Sequence, residues 1–90
     1  MVLRDSGERV VPEWIGPADR MGFMLLEQHR QRYEIASSDI RGKRVLDLGC
    51  GAGYGAHSMA DSGAERVTAV DVDSAALAYA FDNYSHPAIE

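Results

Sequence analysis

Two carboxylates and a cluster of glycines are where this sequence could do chemistry. The stretch "VLDLGCGAGYG", Val45 to Gly55, crowds four glycines into seven positions directly after a short apolar run. Asp47 stands two residues before the first of them. Gly49, Gly51 and Gly53 make a turn that leaves the main chain bare for a ligand. Asp71 follows 22 positions after Gly49, at the end of a second apolar run, "ERVTAVDVD". In nucleotide sites, an acid about 20 residues beyond a glycine turn receives ribose hydroxyls. The spacing therefore points to a ribose-bearing ligand.

The charge of Asp47 bears on which one. Glycine turns after strands commonly cradle phosphate, and Gly51, Gly53 and Ala56 satisfy Gly-x-Gly-x-x-Ala. That reading forces Gly49 into the strand and stands Asp47 close to a pyrophosphate. In a partly buried site such like charges cost on the order of several kcal/mol. S-adenosylmethionine carries no phosphate, has a positive sulfonium and ends in an ammonium group, so a carboxylate at the strand tip suits it. Asp47 favours that cofactor. A nicotinamide-dinucleotide fragment of an oxidoreductase is the alternative, and a non-catalytic truncated chain or partner subunit is a third reading.

These residues need elements to position them. Residues 1–16 read as an irregular segment, broken by Pro12 and Gly16, and residues 17–90 as one cofactor-binding portion. A helix is expected from about Ala18 to Ser37, with Pro17 in its first turn. Met21, Leu25, Gln28, Arg32 and Ile35 share one stripe with Met24 beside it, and Leu26, His29, Tyr33 and Ala36 share the next. "KRVLDLG" reads as a strand, "YGAHSMADSG" as a helix stopped at Gly63, and "ERVTAVDVD" as a second strand. "DSAALAYAFDNY" reads as a third helix, capped by Asp73 or Ser74 and closed before Pro87.

Neither strand alternates cleanly, which predicts a parallel sheet buried on both faces. The fold class is α/β: a Rossmann-like doubly wound parallel sheet, incomplete, with one helix ahead of a βαβα portion. Two strands leave unpaired edges, so the pattern asks for more strands than it supplies. The chain is read as the truncated N-terminal portion of a larger domain, with self-association through the free edges as one expected contact.

Bulk properties exclude several classes. The 90 residues allow one small domain, and 46% hydrophobic content argues against disorder. A net charge of -5, with nine scattered Lys and Arg residues, predicts no nucleic-acid partner. The single cysteine, Cys50, excludes an internal disulfide and argues against a metal cluster. The polar opening "MVLRDSGER" argues against a secretory signal, and no apolar run approaches membrane length. The chain is read as cytoplasmic, with no membrane partner.

"VLDLGCGAG" followed by "VTAVDVD" resembles the first two motifs of the class I S-adenosylmethionine-dependent methyltransferases. Every position of the family's first motif, apolar-apolar-Asp-apolar-Gly-x-Gly-x-Gly, is matched. The resemblance implies that Asp47, Gly49, Gly51 and Gly53 hold the methionine part of the cofactor and Asp71 its ribose, with the main chain of Cys50 alongside. "GER" with Pro12, "HRQRYEIA", "GKRVLDLGCGAGYG" and the "GA" before the second strand are similar to the type 11-like branch, associated with glycan and lipid-quinone biosynthesis. That branch implies a small-molecule methyl acceptor. The family's third and fourth strands, which carry adenine-side contacts and the acceptor site, have no counterpart here, so no catalytic residue is named.

Other residues have plainer readings. Cys50 lacks an acid–base partner and reads as loop packing. Arg32 could pair with the cofactor's carboxylate but reads first as solvated. His29, His57 and His86 are isolated and do not form a metal spacing. Trp14, Met21 and Met24 read as core.

Overall fold

The computed structural model describes residues 10–90. Gly7, Glu8 and Arg9 of the "GER" stretch, and most of the segment expected to be irregular, lie outside those residues. From Val10 the chain is not featureless. Val10 and Val11 are buried, and Pro12–Trp14 forms a single 3₁₀ turn. Val11 packs on Ala52 and Ala76. Glu13 accepts hydrogen bonds from the hydroxyls of Tyr79 and Tyr84, which fastens this segment to the last third of the chain.

Helix α1 spans Arg20–Ser37. Its start is set by Asp19, whose side chain accepts from the Gly22 N–H at 2.8 Å. Pro17 therefore lies in the turn before the cap and not in the helix. The buried face is the stripe of Leu26, His29 and Tyr33, and not the stripe of Met21 and Ile35, which are 65% and 76% exposed. Met24 is exposed as well, and Trp14 only lays its ring edge-on against Tyr79, 5.9 Å between centroids. The expected Trp14–Met21–Met24 core does not form. Two adjacent stripes on an 18-residue helix satisfy the same periodicity, and only the neighbour decides which is covered.

Strand β1, Arg44–Leu48, and strand β2, Arg66–Val70, pair in parallel with Val45 opposite Val67 and Asp47 opposite Ala69. Helix α2, Tyr54–Asp61, makes the crossover that parallel strands require. Ile40, Ala56, Met59, Ala60, Ala64 and Val67 form the core between them, with Tyr33, Val45 and Ala69 at its margin. Helix α3, Ser74–Asn83, follows, capped by Asp73, whose carboxylate accepts from the Ala75 N–H at 2.9 Å. The arrangement is a partial Rossmann-like α/β fold.

Burial on both sheet faces holds on one face only. Leu46 and Leu48 are 60% and 72% exposed, and Val70 is exposed beside them. Side chains alternate across a strand, so the face opposite Val45, Asp47, Val67 and Ala69 is apolar and bare. The free edge of β2 is not wholly unpaired. Val67 N–H donates to Ala88 O at 2.8 Å, Glu90 N–H to Val67 O and Ala69 N–H to Glu90 O at 2.9 Å each, with Ile89 bridged in parallel to Val67.

Candidate functional site

The turn after β1 hangs from the end of β2. Gly49 and Cys50 both donate their N–H groups to Val70 O, at 2.7 and 3.0 Å, and Gly53 N–H donates to Cys50 O at 3.2 Å. The path needs φ of +74°, +56° and +97° at Gly49, Gly51 and Gly53. At Gly53 room is short as well: a Cβ there would strike the Ala80 side chain on α3. The glycine turn is thus wedged between β2 and α3.

Asp47 sits at the tip of β1, 8% exposed, beneath this turn. Tyr33 on α1 donates its hydroxyl across both carboxylate oxygens, at 3.2 and 3.4 Å. Burial pushes the Asp47 carboxyl above its ordinary range; the Tyr33 hydrogen bond opposes that shift and the charge of Asp71 adds to it. Burial and the neighbouring carboxylate push the Tyr33 phenol upward in turn.

Asp71 lies just past β2, and its two oxygens accept from two amides, Gly51 N–H and Asp73 N–H, at 2.9 Å each. It braces the turn as well as facing it. Cys50 is buried, its thiol pushed up to about 11 chiefly by desolvation. That favours an inert packing thiol over a nucleophile. With its N–H on Val70 and its carbonyl receiving Gly53, Cys50 offers a ligand only the carbonyl's second lone pair.

His29, Arg32 and Tyr33 of α1 line an open hollow of about 380 Å³ together with Asp47, Leu48 and Gly49. Arg32, read first as solvated, thus faces the same space as Asp47. Desolvation lowers the His29 imidazole, and Arg32 lowers it further. Tyr54, the first residue of α2, has a buried hydroxyl without a hydrogen-bond partner, and its phenol is pushed up to about 12 by burial.

Two contacts were not readable from spacing. Tyr33 reaches Asp47 across 14 residues, and the only signals were a polar-tipped aromatic on the buried stripe and a glycine at position 55 inside a helix. His57 and His86, expected to be isolated, meet at Asp61, with ring nitrogens 3.3 and 3.2 Å from its two oxygens. Among the described residues no group of His, Cys, Asp and Glu is arranged to hold a metal ion, and no helix is long and apolar enough to cross a membrane.

Residues 45–90 match the family profile described as methyltransferase domain. The chain is 37% identical over 73 residues to a tRNA U34 carboxymethyltransferase of Pseudomonas aeruginosa, covering 77% of this chain and 23% of that protein. It is 48% identical over 48 residues to a ubiquinone biosynthesis O-methyltransferase of Neisseria meningitidis, covering 53% of this chain and 20% of the relative. A ribosomal protein L11 methyltransferase of Vibrio parahaemolyticus is 43% identical over 49 residues, covering 54% of this chain and 17% of the relative. The chain thus spans about a quarter or less of the curated relatives it matches. Among solved structures, a proposed S-adenosylmethionine-dependent methyltransferase from Listeria monocytogenes superposes with TM-score 0.59 at 30% identity, over 67% of this chain and 27% of that one. A proposed RNA methyltransferase from Pyrococcus horikoshii gives 0.57 at 30% identity, over 77% and 34%.

These likenesses correct one expectation. A small-molecule acceptor with no nucleic-acid partner does not stand, because relatives that match more than half of the chain are named for tRNA and for a ribosomal protein. Net charge and scattered basic residues misled here. Bulk charge bears on solubility and non-specific association, and neither it nor the fold class identifies what a family member acts on.

Proposed function

This chain belongs to the methyltransferase-domain family, and on that premise we propose that residues 17–90 build the cofactor-binding portion of a class I methyltransferase. The cofactor is S-adenosylmethionine. One observation carries the residue-level reading. Asp47 is a buried carboxylate whose surroundings supply burial, a phenol hydroxyl and a second carboxylate, next to a bare main-chain turn. Neither neighbour that acts on Asp47 is positive, and Arg32 stands on the wall of the hollow, so a ligand with one positive and one negative end, a sulfonium amino acid, fits the donor set.

Bound there, the cofactor supplies an activated methyl group on a positively charged sulfur. Asp47 receives its positive end, and Gly49, Gly51 and Gly53 let the main chain approach. Each Asp71 oxygen retains lone pairs beyond its amide bond, and these receive the ribose hydroxyls. Arg32 pairs with the amino-acid carboxylate from across the hollow. The contribution of these residues is placement and the exclusion of water, which methyl transfer from an activated sulfur chiefly needs. Relatives named for an RNA, a quinone and a ribosomal protein each match more than half of this chain. That supports a shared cofactor role, and not acceptor recognition, for the chain.

The dinucleotide reading is not favoured, since the buried Asp47 carboxylate would stand close to a diphosphate with like charge. Calorimetric titration of the 90-residue chain separates the two. Saturable binding of S-adenosylhomocysteine without binding of NAD is expected; the reverse pattern overturns the proposal.

A further inference from the structure

Gly55 is the second residue of α2, a position where alanine is the better helix former. Its lack of a side chain has a local cause. A Cβ at Gly55 would fall among the ring carbons of Tyr33. The Tyr33 ring rests against Gly55 in the first turn of α2, and edge-on to Tyr54, with centroids 5.9 Å apart and planes at 72°. Tyr54 is set against Tyr84 in the same manner. This seat fixes where the Tyr33 hydroxyl can go, and it goes to the two oxygens of Asp47.

We infer that Tyr33 is a positioning residue for the cofactor's positive end: its hydroxyl orients the Asp47 carboxylate toward the hollow, and Gly55 is the clearance that lets the ring sit there. This rests on the reading of that hollow as the sulfonium-nucleoside site. The hydroxyl spans both oxygens at distances longer than a single direct O–H···O⁻ bond. It therefore steers the carboxylate and leaves lone pairs on both oxygens for a ligand.

The same hydroxyl also bears on the charge of Asp47, opposing the upward push of burial. Among the described residues, the titratable and charged groups around this carboxylate come from α1, α2, the turn and the end of β2. Tyr33, with His29 and Arg32 on the wall of the hollow, comes from α1; Tyr54 comes from α2; Cys50 comes from the turn; Asp71 comes from the end of β2. Burial and Asp71 favour the protonated acid, whereas the Tyr33 hydroxyl favours the ionised form. Binding of a cation needs the ionised form, so affinity is present above the Asp47 pKa and lost as pH falls through it. Removing the hydroxyl raises that pKa further, and the loss begins at higher pH.

The test is S-adenosylhomocysteine affinity of the 90-residue chain between pH 5 and 8, by calorimetry, for the wild type, Tyr33→Phe and Gly55→Ala. Tyr33→Phe keeps the ring and the melting temperature, binds roughly tenfold more weakly at pH 7, and loses affinity at higher pH than the wild type. Gly55→Ala displaces the ring, so it shows the same pH displacement together with a lower melting temperature. A double variant, Tyr33→Ala with Gly55→Ala, regains stability relative to Gly55→Ala and does not regain affinity. Wild-type affinity and pH profile in Tyr33→Phe overturn the inference alone. Absence of binding by the folded wild type overturns it together with the functional reading beneath it.

Discussion

Asp71 accepts the Gly51 N–H at 2.9 Å, and so the acid that ends β2 holds the middle of the turn that follows β1. Its other oxygen takes the N–H of Asp73, the residue that caps α3, at the same distance. One side chain thus couples the turn, the end of β2 and the start of α3. Asp71→Ala leaves two amides without acceptors. Unfolding in urea is expected to show a loss of about 1–3 kcal/mol, with nucleoside affinity falling in parallel. Asp71→Asn retains one acceptor oxygen and should fall between the two.

Asp47 shows the opposite sign. Its folded pKa is raised by burial and by Asp71. Below the unfolded value both states are protonated, and no difference arises. As pH rises between the unfolded and folded values, the unfolded chain ionises first and stability declines; above the folded value the penalty is complete. Asp47→Asn removes the charge and keeps an acceptor for Tyr33. It is expected to stabilise the unliganded chain by about 0.5–2 kcal/mol at pH 7 while abolishing cofactor binding. Thermal melts at pH 4 and pH 7 check this, because the gain should shrink at the lower pH.

Gly53 carries two constraints at once, a φ of +97° and the side chain of Ala80. Gly53→Ala is expected to destabilise the fold by about 2–4 kcal/mol, combining left-handed strain with overpacking. Adding Ala80→Gly relieves the collision and leaves the strain, so the double variant should recover only part of the melting temperature. Full recovery would show that collision, and not backbone strain, sets the requirement for glycine.

What could be read without coordinates was local. Two apolar runs of strand length, three amphipathic stretches, a cap at Asp73 or Ser74 and the stop at Gly63 all depend on neighbours a few residues apart; the folded chain has these elements, with Asp73 as the cap and the first helix starting at Arg20 and not near Ala18. The turn glycines and Asp47 were legible for the same reason: positive φ and a strand-tip carboxylate are properties of a short segment. The expectation of S-adenosylmethionine was drawn from those residues, and the family and structural likenesses support that cofactor.

Tertiary structure decided the rest. The choice of the Tyr33 stripe over the Met21 stripe, the bare face with Leu46 and Leu48, the pairing of Ala88–Glu90 along β2, and the meeting of His57 and His86 at Asp61 all join residues far apart in the chain. So does the hydroxyl of Tyr33 on Asp47. Periodicity states that a helix has a face to bury; only the partner packed against it determines which face, and so which polar tip arrives at the site.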